Sequence, residues 1–327
     1  MIRFATIGTN FITKWFVEAA KGCSAMKYAA AYSRTEDRAK SFAEEFGAET
    51  YYTDLEKLAR SDDIAGVYIA SPNSLHCEQA MLMMEHGKHV LCEKTIASNS
   101  RELKAMLDLA EKKQVVLLEA MRSVFDPGFL AVSRNLGKLG TIRRASFQYC
   151  QYSSRYDKFK SGVIENAFKP ELSNGALMDI GVYCVHPMVK LFGRPESVYG
   201  EAVLLENGID GLGTILARYE GMLAELAYSK ISNSQIPSRI EGEAGCIVID
   251  AIQNPCNSYI VYNDGEKEEI KVDKNEKNMI YEIEEWARLI ENGLTAGEHN
   301  RYSVMALEIM DQVREQTGLV FPADRPC

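Results

Sequence analysis

The chain has 327 residues, of which 46% are hydrophobic and 25% are charged. That length exceeds what one hydrophobic core usually supports, so we expect two domains, and the composition excludes global disorder. The formal net charge of −9, without a dense run of Lys or Arg, argues against a nucleic-acid partner.

The cysteines indicate a reducing compartment, since several stand in apolar runs as reduced core cysteines do. No pair of cysteines has C-x-x-C spacing and no Cys/His cluster has the spacing of a zinc site, so we expect no metal. We find neither a signal peptide nor a run of the roughly 20 apolar residues that a membrane helix needs. A cytoplasmic protein without a membrane segment is expected. The eight cysteines are Cys23, Cys77, Cys92, Cys150, Cys184, Cys246, Cys256 and Cys327.

Short apolar strands alternate with amphipathic helices over the first third of the chain. Such alternation is typical of βαβ units in a doubly wound parallel sheet, here a Rossmann domain over residues 1–122. Between residues 46 and 66 we predict only a polar loop before the next strand. The predicted strands are 2–7, 28–32, 66–70, 89–92 and 115–119, and the predicted helices are 11–21, 36–46, 75–86 and 100–113.

The pattern changes after residue 122, where longer alternating strands with short turns predict an α+β domain over 123–327. Its sheet should be large, open and mainly antiparallel. Predicted helices are 126–135, 176–191, 279–291 and 302–316. Predicted strands are 141–152, 197–205, 213–219, 223–229, 238–241, 246–250, 259–262 and 268–272.

A glycine turn joins the first strand to the first helix, in the sequence Gly8-Thr9-Asn10-Phe11-Ile12-Thr13. It stands where dinucleotide-binding proteins carry G-x-G-x-x-G but keeps only the first glycine. Gly8 permits a tight turn, and Asn10 tolerates a positive φ better than most residues. Thr13 lies near the start of a helix whose N–H groups suit phosphate. An ordinary strand-to-helix turn is the alternative.

The end of the second strand bears on the choice of cofactor. NAD-selective sites usually place an acid here for the ribose 2′-hydroxyl, whereas this chain has Ser33 and Arg34. A hydroxyl and a guanidinium suit a 2′-phosphate. We therefore expect NADP(H) to be preferred, with NAD(H) possible. Arg38, one helical turn later, is better explained as a solvated surface residue.

Two polar segments follow buried strands at the carboxyl edge of the predicted sheet, where doubly wound folds bind ligands. They are Ser71-Pro72-Asn73-Ser74-Leu75-His76 and Glu93-Lys94-Thr95. Lys94 is a candidate for proton exchange if it is partly desolvated, and a surface lysine is the alternative.

A third segment places polar side chains in an apolar helix. Asp179 and Tyr183 are four residues apart and Tyr183 and His186 are three apart, so all three share one face of an α-helix. Buried polar groups need partners, which indicates either a functional site or a structural network in which Asp179 caps the helix.

Together these segments resemble the Gfo/Idh/MocA family (glucose–fructose oxidoreductase, inositol dehydrogenase and rhizopine catabolism proteins). Glu93-Lys94-Thr95 is similar to its E-K-P motif, and the residues from Asn174 to Tyr183 are similar to its G-G-G-A-L-x-D-x-G-x-[YH] signature. Tyr183 is similar to the dihydrodiol dehydrogenase branch. The chain departs from the family at Asn10, Thr13, Thr95 and Asn174.

The resemblance implies roles for individual residues. Lys94 looks like the catalytic lysine, with Asp179 and Tyr183 as its partners. Arg155 and His186 are candidates for contacting the substrate, and a surface role is the alternative for Arg155. The positions implied to bind cofactor are Gly8, Thr9, Asn10, Phe11, Ile12, Ser33, Arg34, Ser71, Pro72, Asn73, His76, Glu93 and Lys94.

The resemblance implies hydride transfer between a nicotinamide and a sugar, polyol or related alcohol or carbonyl compound. It also implies a homodimer or a higher homo-oligomer, because the open sheet would otherwise expose an apolar face. A dinucleotide-binding regulator without turnover is the rival expectation.

Overall fold

The computed structural model describes residues 1–325, so Cys327 lies outside the described residues. The chain forms two compact units. The first comprises Met1–Arg122 and Asn275–Arg301, and the second comprises Ser123–Lys274 and the chain from Tyr302 onward. The expected boundary at 122 is thus the first point at which the chain passes between units, and residues 275–301 return to the first.

The first unit contains a parallel sheet in the order β3-β2-β1-β4-β5-β6. This order reverses direction between β1 and β4, and it confirms the predicted doubly wound sheet. Its elements are β1 (Ile2–Ile7), α1 (Phe11–Ala20), β2 (Met26–Tyr32), α2 (Glu36–Phe46), β3 (Thr50–Tyr52), α3 (Leu55–Ala59), β4 (Gly66–Ile69), α4 (His76–Glu85), β5 (His89–Glu93), α5 (Ser100–Lys113) and β6 (Leu117–Ala120).

The prediction of an unstructured polar loop between 46 and 66 is wrong, because β3 and α3 lie there. The three residues of β3, at the edge of the sheet, are too few for an alternating pattern to show. The five residues of α3 begin after Asp54, whose Oδ1 accepts the N–H groups of Glu56 at 2.9 Å and Lys57 at 3.2 Å. A side-chain cap therefore stabilises a helix too short to show a period.

The second unit contains an eight-stranded sheet in the order β14-β13-β12-β11-β7-β10-β9-β8. Only the β7–β10 pair is parallel, so the predicted large and mainly antiparallel sheet is confirmed. Its elements are α6 (Pro127–Asn135), β7 (Ile142–Cys150), α7 (Tyr156–Lys160), a π-helical turn (Leu177–Gly181), α8 (Val182–Phe192), β8 (Ser197–Leu204), β9 (Asp210–Tyr219), β10 (Met222–Ser229), β11 (Ser238–Gly242), β12 (Gly245–Ile249), β13 (Tyr259–Tyr262) and β14 (Lys267–Glu269).

Two helices complete the chain, α9 (Ile280–Glu291) in the first unit and α10 (Gly297–Thr317). The fully buried Trp286 of α9 explains why this late segment belongs with the first sheet. A Cβ atom at Gly66 of β4 would lie 2.7 Å from the Trp286 ring, so the ring packs against bare backbone. Within residues 1–325 no helix combines the length and apolarity needed to cross a membrane.

Candidate active site

Gly8 lies at the point where the order of the first sheet reverses. Its φ is +111°, and a Cβ atom there would lie 2.8 Å from the carbonyl oxygen of Ala70, directly after β4. Both constraints require glycine. The backbone after β1 therefore lies against the backbone after β4, at the edge where doubly wound sheets bind dinucleotides.

Asn10 does not have the positive φ that its residue type led us to expect, since its φ is −85°. Instead, its Oδ1 accepts the N–H groups of Ile12 at 3.0 Å and Thr13 at 3.2 Å, and its Nδ2 donates to the Ala70 carbonyl at 2.9 Å. The side chain therefore caps α1 and joins it to the end of β4. A glycine turn followed by a ten-residue helix whose N-terminus faces this edge fits the pyrophosphate of a dinucleotide.

Ser33 and Arg34 directly follow β2, the strand beside β1. Ser33 is buried and its N–H donates to the Tyr52 carbonyl at 3.2 Å, whereas Arg34 is exposed. Arg38 is also exposed, on α2. A hydroxyl and a guanidinium thus follow β2, and neither position carries an acid.

His76 joins the two loops that follow β4 and β5. Its Nδ1 lies 2.9 Å from the Thr95 carbonyl and its Nε2 lies 2.9 Å from the Ser71 carbonyl. Burial lowers the pKa of His76 to about 4, so the ring is neutral at physiological pH and one nitrogen donates. His76 therefore hydrogen-bonds one of these two carbonyls through its protonated nitrogen and contacts the other, which places the ring between the Ser71 and Thr95 segments.

Lys94 follows a buried carboxyl group. Glu93 accepts the Tyr68 hydroxyl at 2.5 Å and the Lys94 N–H at 3.2 Å. Burial raises the pKa of Glu93, while the Tyr68 hydrogen bond opposes that shift. Lys94 itself is half-buried, and the Lys94–Thr95 peptide bond is cis. The buried Glu93 side chain, held by Tyr68 of β4, thus fixes the main-chain N–H of Lys94.

In the second unit the helix predicted over 176–191 begins with the π-helical turn Leu177–Gly181. The fully buried carboxylate of Asp210 accepts the N–H groups of Ala176 at 3.0 Å and Leu177 at 2.7 Å. The helix is therefore capped by Asp210 of β9, not by Asp179 as one alternative had it. Gly175 has a φ of +119°, and a Cβ atom there would lie 2.0 Å from Asp210 Oδ1.

Asp179 lies within the π turn and forms an ion pair with Lys230, whose Nζ is 2.5 Å from Asp179 Oδ2. Sequence reasoning missed both Lys230 and Asp210. Lys230 follows β10 as a single lysine, and Asp210 follows Asn207-Gly208, which has the composition of a turn. The one signal in the sequence was Gly175, because a glycine at a helix start can mark a place where another group approaches the main chain closely.

Tyr183 and His186 are buried in α8, with exposed fractions of 6% and 3%. The Tyr183 ring meets the Tyr149 ring edge to face at 5.7 Å. Tyr183 and His186, three residues apart, share one face of α8 as expected. Asp179 lies in the π turn, whose rotation per residue differs from that of an α-helix. The four-residue spacing therefore does not place Asp179 on the same face as Tyr183. Arg155 is exposed before α7 and forms an ion pair with Glu165 at 3.4 Å.

Two family models match the chain. One, described as an oxidoreductase family with an NAD-binding Rossmann fold, matches residues 2–121. The other, described as the GFO/IDH/MocA C-terminal domain, matches residues 135–248.

Curated relatives match over nearly the full length. The scyllo-inositol 2-dehydrogenase (NADP(+)) of Bacillus subtilis is 49% identical, covering 99% of this chain and 100% of its own. A trans-1,2-dihydrobenzene-1,2-diol dehydrogenase of Xenopus laevis is more distant, at 29% identity over 98% of this chain and 99% of its own. A 3-ketoreductase from Actinomadura kijaniata has the same fold, with a TM-score of 0.87 at 22% identity over 97% of this chain and 98% of its own.

The Asp210 cap makes stability depend on pH. Burial raises the Asp210 pKa from 3.8 to about 6, and the bonds from Leu177 and Ala176 oppose the shift. The native state then binds a proton that the unfolded state has lost. This contribution to stability is complete below pH 3.8 and disappears as the pH rises through about 6. A shift of about two pKa units corresponds to about 3 kcal/mol.

We expect Asp210→Asn, which cannot titrate, to become more stable relative to the wild type by up to about 3 kcal/mol between pH 4 and pH 7. Urea unfolding at a series of pH values measures this difference. Asp264→Asn, in the exposed turn between β13 and β14, is the control and should follow the wild type. Parallel stability curves for the wild type and Asp210→Asn would show that Asp210 does not titrate in this range.

Proposed function

The chain belongs to the GFO/IDH/MocA family of oxidoreductases, and from that premise we propose that it is an NADP(H)-dependent dehydrogenase of a cyclic polyol of the inositol class. The observation that carries the proposal is the 49% identity, over both chains, to a scyllo-inositol 2-dehydrogenase that uses NADP(+). The family confirms the predicted oxidoreductase class and dinucleotide-binding domain. The lower identity of the dihydrodiol enzymes, 29%, weighs against the dihydrodiol-like branch.

The cofactor preference rests on the residues after β2. Ser33 and Arg34 offer a hydroxyl and a guanidinium where an acid would repel a 2′-phosphate. The turn at Gly8 and the start of α1 would hold the pyrophosphate. His76 would link the segments after β4 and β5, through a hydrogen bond to one of the Ser71 and Thr95 carbonyls and contact with the other.

The chemistry needs a hydride acceptor and a group that takes the hydroxyl proton. The bound nicotinamide supplies the hydride acceptor. Lys94 and Tyr183 are the groups that we assign to holding and moving the proton, with Asp179 as an orienting carboxylate and His186 as a further candidate. Glu93 anchors the main chain of Lys94, and the edge-to-face contact with Tyr149 limits the orientations of the Tyr183 ring.

We also propose a homodimer formed through the sheet of the second unit. Its strands β8, β9 and β10 expose large apolar side chains: Tyr199, Val203, Leu216 and Leu223 are each 42–58% exposed. Tyr199 is paired with Leu216 across β8 and β9, so the two contribute to one patch. Covering such a patch with a second copy removes apolar surface from water.

The proposed function is tested by assaying the purified protein with scyllo-inositol, myo-inositol, simple sugars and a trans-dihydrodiol. We expect reduction of NADP(+) with an inositol, and a lower kcat/KM with NAD(+). Nicotinamide absorbance follows the reaction, and assays without protein correct for background. Turnover confined to the dihydrodiol, or absent with every cyclic polyol, would contradict the proposed substrate class.

Arg34→Ala should weaken binding of NADPH by about 10- to 100-fold, because a charge-assisted contact to the 2′-phosphate is lost. Binding of NADH should change little. Fluorescence titration of both reduced cofactors measures the two affinities, and Arg38→Ala is the matched control on an exposed arginine nearby. Equal losses for both cofactors, or a tenfold preference of the wild type for NADH, would contradict the assignment.

Lys94→Ala should keep the affinity for NADPH within a few-fold and lower kcat by about 10²- to 10⁴-fold, as expected for lost acid–base catalysis. Tyr183→Phe should lose a comparable amount, because it removes the other group that we assign to moving the proton. Lys112→Ala, on an exposed face of α5, is the control. Near-normal turnover of Lys94→Ala would contradict the role assigned to Lys94, whereas a wild type without turnover on any of these substrates would favour the rival function of a dinucleotide-binding regulator.

A further inference from the structure

Lys230 is a buried cation that none of the predicted roles uses. Its side chain is 4% exposed, whereas that of its partner Asp179 is 32% exposed. Besides the ion pair, Nζ lies 3.4 Å from the Ala167 carbonyl and 5.2 Å from the centre of the Phe168 ring. The ammonium group is therefore more buried than the Asp179 carboxylate, and a carboxylate, a carbonyl oxygen and an aromatic ring lie around it. All three interact favourably with a positive charge.

The main chain of Lys230 is also held by two hydrogen bonds. Its N–H donates to the Gly211 carbonyl at 2.8 Å, and its carbonyl accepts the Ser153 N–H at 2.8 Å. Gly211 directly follows Asp210, which caps the π turn that carries Asp179. Lys230 and Asp179 thus extend from backbone segments that hydrogen bonds already hold in place.

We propose that Lys230 is a positioning residue for the proposed dehydrogenase reaction: it fixes the Asp179 carboxylate on the π turn in one orientation and in its ionised form. This inference rests on the proposed function, because it assigns Lys230 a role in catalysis through Asp179. It also makes Asp179 an orienting anion and leaves proton transfer to Lys94 and Tyr183.

Electrostatics explain why losing either Lys230 or Asp179 alone is unfavourable. A buried ammonium without a counter-ion is strongly unfavourable, and removing one partner of a buried pair costs more than removing both. A carboxylate on a side chain with free rotation would occupy several rotamers, whereas an ion pair to a rigid lysine selects one. The Lys230 charge also acts on Asp210 and opposes the burial that raises the Asp210 pKa. One cation therefore serves two carboxylates.

A double-mutant cycle on stability tests the pair without reference to activity. The variants are Lys230→Met, which keeps the length of the side chain, Asp179→Asn, and the two together. Asp179→Asn should lower the thermal unfolding midpoint, because it leaves the ammonium buried without its counter-ion. The double variant should recover part of that loss. Lys267→Met, on the exposed strand β14, is the control and should leave the midpoint unchanged. Additive losses in the cycle would overturn the pairing.

Kinetics test the catalytic role. Lys230→Met should lower kcat by about 10- to 100-fold, the scale expected for a misplaced site group, and leave NADPH affinity within a few-fold. Lys230→Arg should recover part of the loss, because it restores the charge. Adding Lys230→Met to Asp179→Asn should cost little further activity.

The outcomes distinguish failure of the positioning role of Lys230 from failure of the proposed dehydrogenase function. If the stability cycle is coupled but Lys230→Met keeps the wild-type kcat, Lys230 is only structural and the inference is overturned. If Lys230→Arg loses as much kcat as Lys230→Met, the charge is not what matters and the inference is also overturned. Failure of the proposed function is seen elsewhere, as an absence of polyol turnover by the wild type.

Discussion

The Asp210 carboxylate accepts two main-chain N–H groups at the start of the π turn, and the arrangement of the second unit's candidate site depends on this contact. It explains why residue 175 must be glycine, since a Cβ atom there would overlap the carboxylate. It also satisfies N–H groups that a helix start would otherwise leave unpaired inside the protein. The turn that follows the cap has π geometry, and Asp179 lies in it. Asp179 is therefore rotated away from the position it would have in an ideal α-helix.

The first unit is organised by a comparable close approach. Gly8 and Ala70 follow neighbouring strands, and their backbones meet where no side chain fits. Asn10 adds a second connection, because one amide both caps α1 and donates to the Ala70 carbonyl. In both units a glycine allows a polar group to come close to the main chain. The candidate site residues near these turns therefore follow backbone that close packing and hydrogen bonds hold.

Much of this could be read from the residues themselves. The parallel sheet followed from alternating strands and helices, and the large second sheet from long alternating strands, since burial of one face or both imposes those patterns locally. The segments with Ser33–Arg34, Glu93–Lys94 and Asp179–Tyr183 were also identifiable, because each follows a strand or interrupts an apolar helix. What failed was local detail that depends on partners, such as β3 at the sheet edge, the extended φ of Asn10 and the start of the helix near Asp179.

The sequence by itself determined the two-unit plan, the class of each sheet and the positions of the segments that carry polar groups. These depend on composition and on periodicity along a short stretch of chain. Only the tertiary structure decided that Asp210 and Lys230 serve Asp179's helix, because those residues lie 31 and 51 positions away from Asp179 along the chain. It also decided that α9 returns to the first sheet, through the contact of Trp286 with Gly66. Such contacts form when distant segments exclude water together, and no local pattern of residues records which distant partner will be met.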